Sequence, residues 1–235
     1  RPRRRPAAAA AVRAAGRGMR PAGAIFDLDG TLTDSMYIWD WVPGELVRRL
    51  GGTPPPDLAY TIREMDRREA ADYLIRTFRL PLDGAQLMEK VNALVDGEYR
   101  DKVPLKPGAR TLLRRLKELD IPCAIATASE TRQAQQAMER LGLWDCFSFA
   151  ISSTQYGPKT SPDLYWEAAR RLGTAPERTV VFEDALHAAR SARAGGFLVV
   201  GVYDPSAQGD REQMKLVSNW YLEALDDPEF LDQLR

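Results

Sequence analysis

The sequence predicts an α/β chain: a doubly wound parallel sheet with an all-helical segment inserted near its start. Three observations carry that expectation. From residue 108 onward, short apolar runs alternate with amphipathic helical stretches at the spacing of strand–crossover–strand units. Residues 35–103 show only helical periodicity, rich in charge and broken by Gly and Pro. An isolated apolar run at 22–26 precedes those helices, so they interrupt a sheet that has already begun.

The run at 22–26 reads as a buried strand, and it ends in Asp27-Leu28-Asp29-Gly30-Thr31-Leu32-Thr33-Asp34-Ser35. On an extended chain, residues two apart face the same way, so Asp27 and Asp29 would converge. Their place, the carboxyl end of a strand, is where open α/β sheets bind ligands. Two close carboxylates repel unless a cation or a shared proton intervenes. The competing reading is an ordinary polar turn, since Asp-Gly is a common turn dipeptide.

Helices are expected at 36–50, 57–79 and 84–100, then a basic amphipathic helix at 108–119. The strand at 121–126 stops at Thr127-Ala128-Ser129, and a helix follows over 130–141, closing at Gly142. A strand at 147–151, a helix at 162–172 and a strand at 179–182 come next, the last ending in Glu183-Asp184. A small-residue helix at 185–194 leads through Gly195-Gly196 to a strand at 197–202. Residues 210–235 look helical and amphipathic, with Trp220-Tyr221 expected to pack on the sheet edge. The domain plan is therefore a leader at 1–20, a core at 21–34 and 104–235, and the helical insert at 35–103.

A chain of 235 residues suffices for such a core plus insert. Its 44% hydrophobic and 28% charged residues suit a soluble globular protein. No apolar run approaches the roughly 18 residues of a membrane helix. Cys123 and Cys146 read as small core residues rather than a disulfide, which suits a reducing, cytoplasmic setting. The zero net charge hides an asymmetry. Residues 1–20 carry seven Arg and no acid, leaving 26 basic against 33 acidic residues, a net of −7, for the remainder. A body this acidic repels phosphate backbones, which argues against nucleic acid as a partner. The leader's Arg/Ala-rich composition suggests disorder, with an upstream extension before Met19 as first reading and a transit peptide or a phosphate-binding arm as alternatives.

The stretch Asp27-Leu28-Asp29-Gly30-Thr31-Leu32-Thr33-Asp34-Ser35 resembles the D-x-D-G-T-L-x-D-S motif of the haloacid dehalogenase superfamily. Three later segments resemble its other motifs in the same order: Thr127, the run Lys159-Thr160-Ser161-Pro162-Asp163, and the pair Glu183-Asp184. The resemblance covers roughly residues 22–225. It implies a Rossmann-like core with a small helical cap. It also implies a Mg²⁺-dependent phosphatase that hydrolyses a small phosphate monoester through an aspartyl-phosphate on Asp27. Asp29 would be the general acid/base, and the backbone carbonyl there a metal ligand. The second Asp disfavours dehalogenation, whose branch lacks it. Thr127 and Ala128 would meet the phosphoryl group, and Lys159 would neutralise its charge. Glu183 and Asp184 would join Asp27 in holding Mg²⁺, with Asp184 the stronger candidate for direct ligation. Thr160, Ala185 and Ala188 depart from the pattern at positions around these groups.

In the cap, Tyr37, Trp39 and Trp41 and the basic Arg63, Arg67 and Arg68 are candidate substrate contacts, with Arg63 able to clamp a second anionic group. Hinges are expected near 32–35 and 103–108. His187, the sole histidine, reads as structural or exposed. The closest branches in pattern are those of phosphoglycolate phosphatase and β-phosphoglucomutase, so a phosphomutase is the first alternative and a non-catalytic phosphometabolite-binding protein the second. The chain is expected to be a monomer or a weak homodimer.

Overall fold

A computed structural model describes residues 20–62, 65 and 67–234 of the chain. The expected leader up to Met19, Arg63 and the Arg67 side chain lie outside the described residues. The chain divides into two compact units: one runs to Thr33 and resumes at Leu105, and the other is Asp34–Pro104.

Within Asp34–Pro104 the elements are helical: α1 (Tyr37–Arg49), α2 (Leu58–Ile62), α3 (Arg67–Phe78) and α4 (Gly84–Asp101). Helix α4 starts on a capping box, in which the Asp83 carboxylate accepts from Gln86 N and the Gln86 side chain accepts from Asp83 N. Apolar residues at helical spacing (Leu87, Val91, Val95, Tyr99) bury one of its faces. The single helix expected at 57–79 is instead two. Between Ile62 and Ala70 only Met65 is apolar, too little to sustain a buried stripe, and Met65 lies outside both helices.

The other unit holds one parallel sheet of β1 (Gly23–Phe26), β2 (Cys123–Thr127), β3 (Phe147–Ser152), β4 (Thr179–Glu183), β5 (Leu198–Val202) and β6 (Trp220–Leu222), in the order β3-β2-β1-β4-β5-β6. It is a doubly wound, Rossmann-like sheet. Every residue of β1, β2 and β4 is buried, as strands covered on both faces must be. Phe26 stacks on Phe182 at 4.3 Å on one face. On the other, Ile25, Val181 and Val199 meet Tyr165 and Phe197. Between β1 and β4 the winding direction reverses, which opens a crevice at the carboxyl ends of these two central strands.

The remaining helices are α5 (Ala109–Glu118), α6 (Thr131–Arg140), α7 (Ser153–Tyr156), α8 (Asp163–Leu172), α9 (Leu186–Ala194), α10 (Arg211–Val217) and α11 (Pro228–Gln233). The C-terminal stretch is thus not one helix. Trp220–Leu222 pairs with β5 as the edge strand, consistent with aromatic strand preference. Pro228 then opens α11, capped by the Asp227 side chain accepting from Phe230 N at 2.9 Å. Thr33 pairs antiparallel with Leu105. Next to it, the buried Lys106 ammonium donates to the buried Asp204 at 2.9 Å. Both cysteines are free thiols. Among the described residues no helix is long and apolar enough to cross a membrane.

Candidate active site

The acidic loop after β1 is built by its backbone. Asp27 N donates to Phe182 O at 3.0 Å, holding the carboxylate at the sheet's end. Extended geometry stops there, because the chain folds back: Leu32 N and Thr33 N both donate to Leu28 O, each at 2.9 Å. The turn needs Gly30 at φ +84°, and a Cβ there would lie 2.5 Å from Asp184 Oδ2. Asp27 and Asp29 are therefore neighbours through a turn, and not along one strand face as the sequence suggested.

Three strand-end acids converge. Asp27, Glu183 and Asp184, all buried, each place a carboxylate oxygen within 4.8 Å of the others, a grouping that could hold a metal ion. The carboxylate of Asp29 is not in that group. Thr31 Oγ1 donates to Asp184 Oδ1 at 2.8 Å. Lys159, itself buried, reaches in from the loop before α8 and donates to Asp27 Oδ1 and to Glu183 Oε1, the latter at 2.6 Å. Tyr165 Oη donates to the same Glu183 oxygen at 2.6 Å. Glu183 Oε2 is buried without a hydrogen-bond partner among the described residues.

Three buried carboxylates against one ammonium leave a surplus of negative charge that low-dielectric surroundings oppose. Burial raises the Asp27 carboxyl to about 7, against the pull of Lys159, with Glu183 and Asp29 adding to the rise. Burial likewise pushes Asp184 well above the usual carboxylate range, helped by Asp27 and Glu183. Burial alone would lower Lys159, but Asp27 and Glu183 outweigh it and hold the ammonium protonated. Hard oxygen donors, surplus negative charge and an unpartnered carboxylate oxygen together fit a divalent cation.

At the end of β2, Thr127 is buried and its Oγ1 accepts from Ser129 N at 2.9 Å. Ala128 is exposed between two buried hydroxyls. Ser129 Oγ donates to Asp29 Oδ2 at 2.6 Å, tying the β2 end to the acidic loop. In the helical unit, Tyr37 Oη donates to Glu98 at 3.0 Å, linking α1 to α4. Trp39 and Trp41 are half-buried, Arg68 is exposed, and His187 is exposed on α9.

Sequence reasoning did not single out Ser129, Thr31 or Tyr165. The first two sit inside stretches already quoted, Thr31 two residues after Asp29 and Ser129 two residues after Thr127. Tyr165 gave no signal, because an aromatic on the core face of a helix reads as packing.

The model of the haloacid dehalogenase-like hydrolases matches residues 21–196. Hexitol phosphatase A of Escherichia coli is 30% identical over 201 residues, spanning 85% of this chain and 91% of that protein. The bifunctional riboflavin kinase/FMN phosphatase of Arabidopsis thaliana is 28% identical over 191 residues, 76% of this chain; the match spans 47% of that protein, about half its length. The structure of CbbY from Rhodobacter sphaeroides in complex with phosphate superposes with a TM-score of 0.78 at 20% identity, over 90% of this chain and 99% of that one. A likeness at that identity speaks for the fold.

Proposed function

The chain belongs to the haloacid dehalogenase-like hydrolase family and is a phosphatase, and we propose that it hydrolyses a small phosphate monoester of a sugar or sugar alcohol, with Asp27 as nucleophile. The observation that carries this is the buried meeting of Asp27, Lys159, Glu183 and Asp184 at the carboxyl ends of β1 and β4. The substrate class is supported by the hexitol phosphatase relative.

In this reading an Asp27 oxygen attacks phosphorus and the ester oxygen departs, taking a proton from the Asp29 carboxyl to leave as an alcohol. The Asp29 carboxylate then takes a proton from water, whose oxygen attacks the aspartyl-phosphate and releases phosphate with Asp27 restored. Ser129 holds one Asp29 oxygen at 2.6 Å, fixing the carboxylate that would make these transfers. The Lys159 ammonium, paired with Asp27, offsets the charge the phosphoryl group brings. Thr127 and the backbone at Ala128 receive a phosphoryl oxygen. Asp27, Asp184, the Asp29 carbonyl and Glu183 would hold Mg²⁺, which supplies charge neutralisation at the phosphoryl oxygens.

The test is phosphate release from a panel of sugar and sugar-alcohol phosphates, with Mg²⁺ and with EDTA. Metal-dependent release concentrated on that class is expected. An isomerised phosphate ester without free phosphate would instead mean phosphoryl return to substrate, as in a mutase.

A further inference from the structure

We propose that Tyr165 is a positioning residue: its buried phenol holds Glu183 so that Lys159 stays on Asp27 and the second Glu183 oxygen stays open toward a divalent cation. The proposal rests on the site reading above. Two donors, Tyr165 Oη and Lys159 Nζ, meet on Glu183 Oε1, each at 2.6 Å. A carboxylate that could turn either oxygen toward a lone lysine is oriented by the pair. Its other oxygen, Oε2, is buried and has no partner among the described residues. Left so, it costs free energy, and a cation bound beside Asp27 and Asp184 would relieve that cost.

Packing does not require the hydroxyl. The Tyr165 ring lies in an apolar cluster with Ile25, Ala126, Leu164 and Val181, and meets Phe197 edge-on at 6.1 Å between centroids. A phenylalanine ring would fill the same space. Burying a phenol instead is costly unless its O–H is bonded, and that bond goes to a carboxylate of the acidic cluster. Lys159 and Tyr165 also come from one loop–helix segment, with Pro162 at the start of α8 between them. Their relative placement is local, so the geometry at Glu183 is set by α8 seating on the sheet.

The test compares wild type, Tyr165→Phe, Glu183→Gln and the double variant as full chains. Mg²⁺ is titrated while the thermal unfolding midpoint is followed, and p-nitrophenyl phosphate turnover is measured at saturating Mg²⁺. The expected result for Tyr165→Phe is cooperative unfolding, about tenfold more Mg²⁺ for the half-maximal midpoint shift, and a lower kcat at nearly unchanged KM. The double variant should do no worse than Glu183→Gln alone, since the phenol acts through that carboxylate. An unchanged Mg²⁺ half-point, additive losses, a wild type whose midpoint ignores Mg²⁺, or loss of cooperative unfolding in Tyr165→Phe would each overturn the proposal. Turnover that survives in an Asp27→Asn control would refute the nucleophile assignment separately, because the midpoint titration needs no turnover.

Discussion

Ser129 Oγ donates to Asp29 Oδ2 at 2.6 Å across 100 residues of sequence, so the carboxylate assigned to proton transfer is gripped by the end of the adjacent strand. Removing the hydroxyl takes away one of the contacts that orient the Asp29 carboxylate. Ser129→Ala should lower kcat about tenfold, a fraction of the 10²–10⁴ that general acid–base catalysis contributes, while Ser129→Thr should retain most activity. Steady-state kinetics on the preferred substrate measure it, and an unchanged kcat in Ser129→Ala would remove Ser129 from the account.

Gly30 should tolerate no side chain. Its φ of +84° costs an L-residue about 1–2 kcal/mol. A Cβ would also displace the Asp184 carboxylate, 2.5 Å away. Gly30→Ala should therefore lower both the unfolding midpoint and the Mg²⁺ affinity. A variant with lower stability but intact Mg²⁺ affinity would show that Asp184 moves aside harmlessly.

The pH dependence has a definite sign. With Asp27 raised by burial to about 7 in the folded chain, well above its ordinary value, the folded state holds the proton more tightly than the unfolded one. Stability from this group is then full below about pH 4 and is lost as pH rises through about 7. Subtracting the midpoints of Asp27→Asn from those of wild type, in EDTA, isolates that slope. A metal cation needs the ionised carboxylates, so Mg²⁺ should stabilise the wild type increasingly from pH 5 to 8. A metal-free difference that grows with pH would reverse the assignment.

Lys106 and Asp204 form a buried pair just after the chain returns from the helical unit. Removing one partner of such a pair typically costs about 3–5 kcal/mol. Lys106→Met should show a loss of that order in urea unfolding, and Asp204→Asn placed in the same chain, which removes the stranded charge while keeping an acceptor for Ser206 N, should recover part of it. A loss below about 1 kcal/mol, the range of exposed pairs, would mean that water reaches the pair.

The legible parts of this molecule are those written in local pattern. Asp27, Thr127, Glu183 and Asp184 each follow a run of apolar residues whose strand could be read directly, and a parallel sheet carries all such ends to one edge. Lys159 was legible through its resemblance to the superfamily's third motif, with Pro162-Asp163 following it; by itself a loop lysine reads as a solvated surface charge. Tyr165 was not, because its partner is 18 residues away and its ring alone accounts for its burial. Trp220–Leu222 escaped as a strand because three residues carry too little periodicity to outweigh the helical pattern around them. The expected helix at 57–79 failed for the opposite reason: residues 63–69 are charged apart from Met65, and such residues favour helix individually without supplying an apolar stripe.

The measurement that bears most directly on the central claim is an acid quench of the full chain turning over its preferred phosphate monoester with Mg²⁺, followed by peptide mapping. A phosphoryl group is expected on the peptide containing Asp27, and none on that peptide from Asp27→Asn. A phosphoryl group on another residue, or equal turnover by the Asp27→Asn chain, would contradict it.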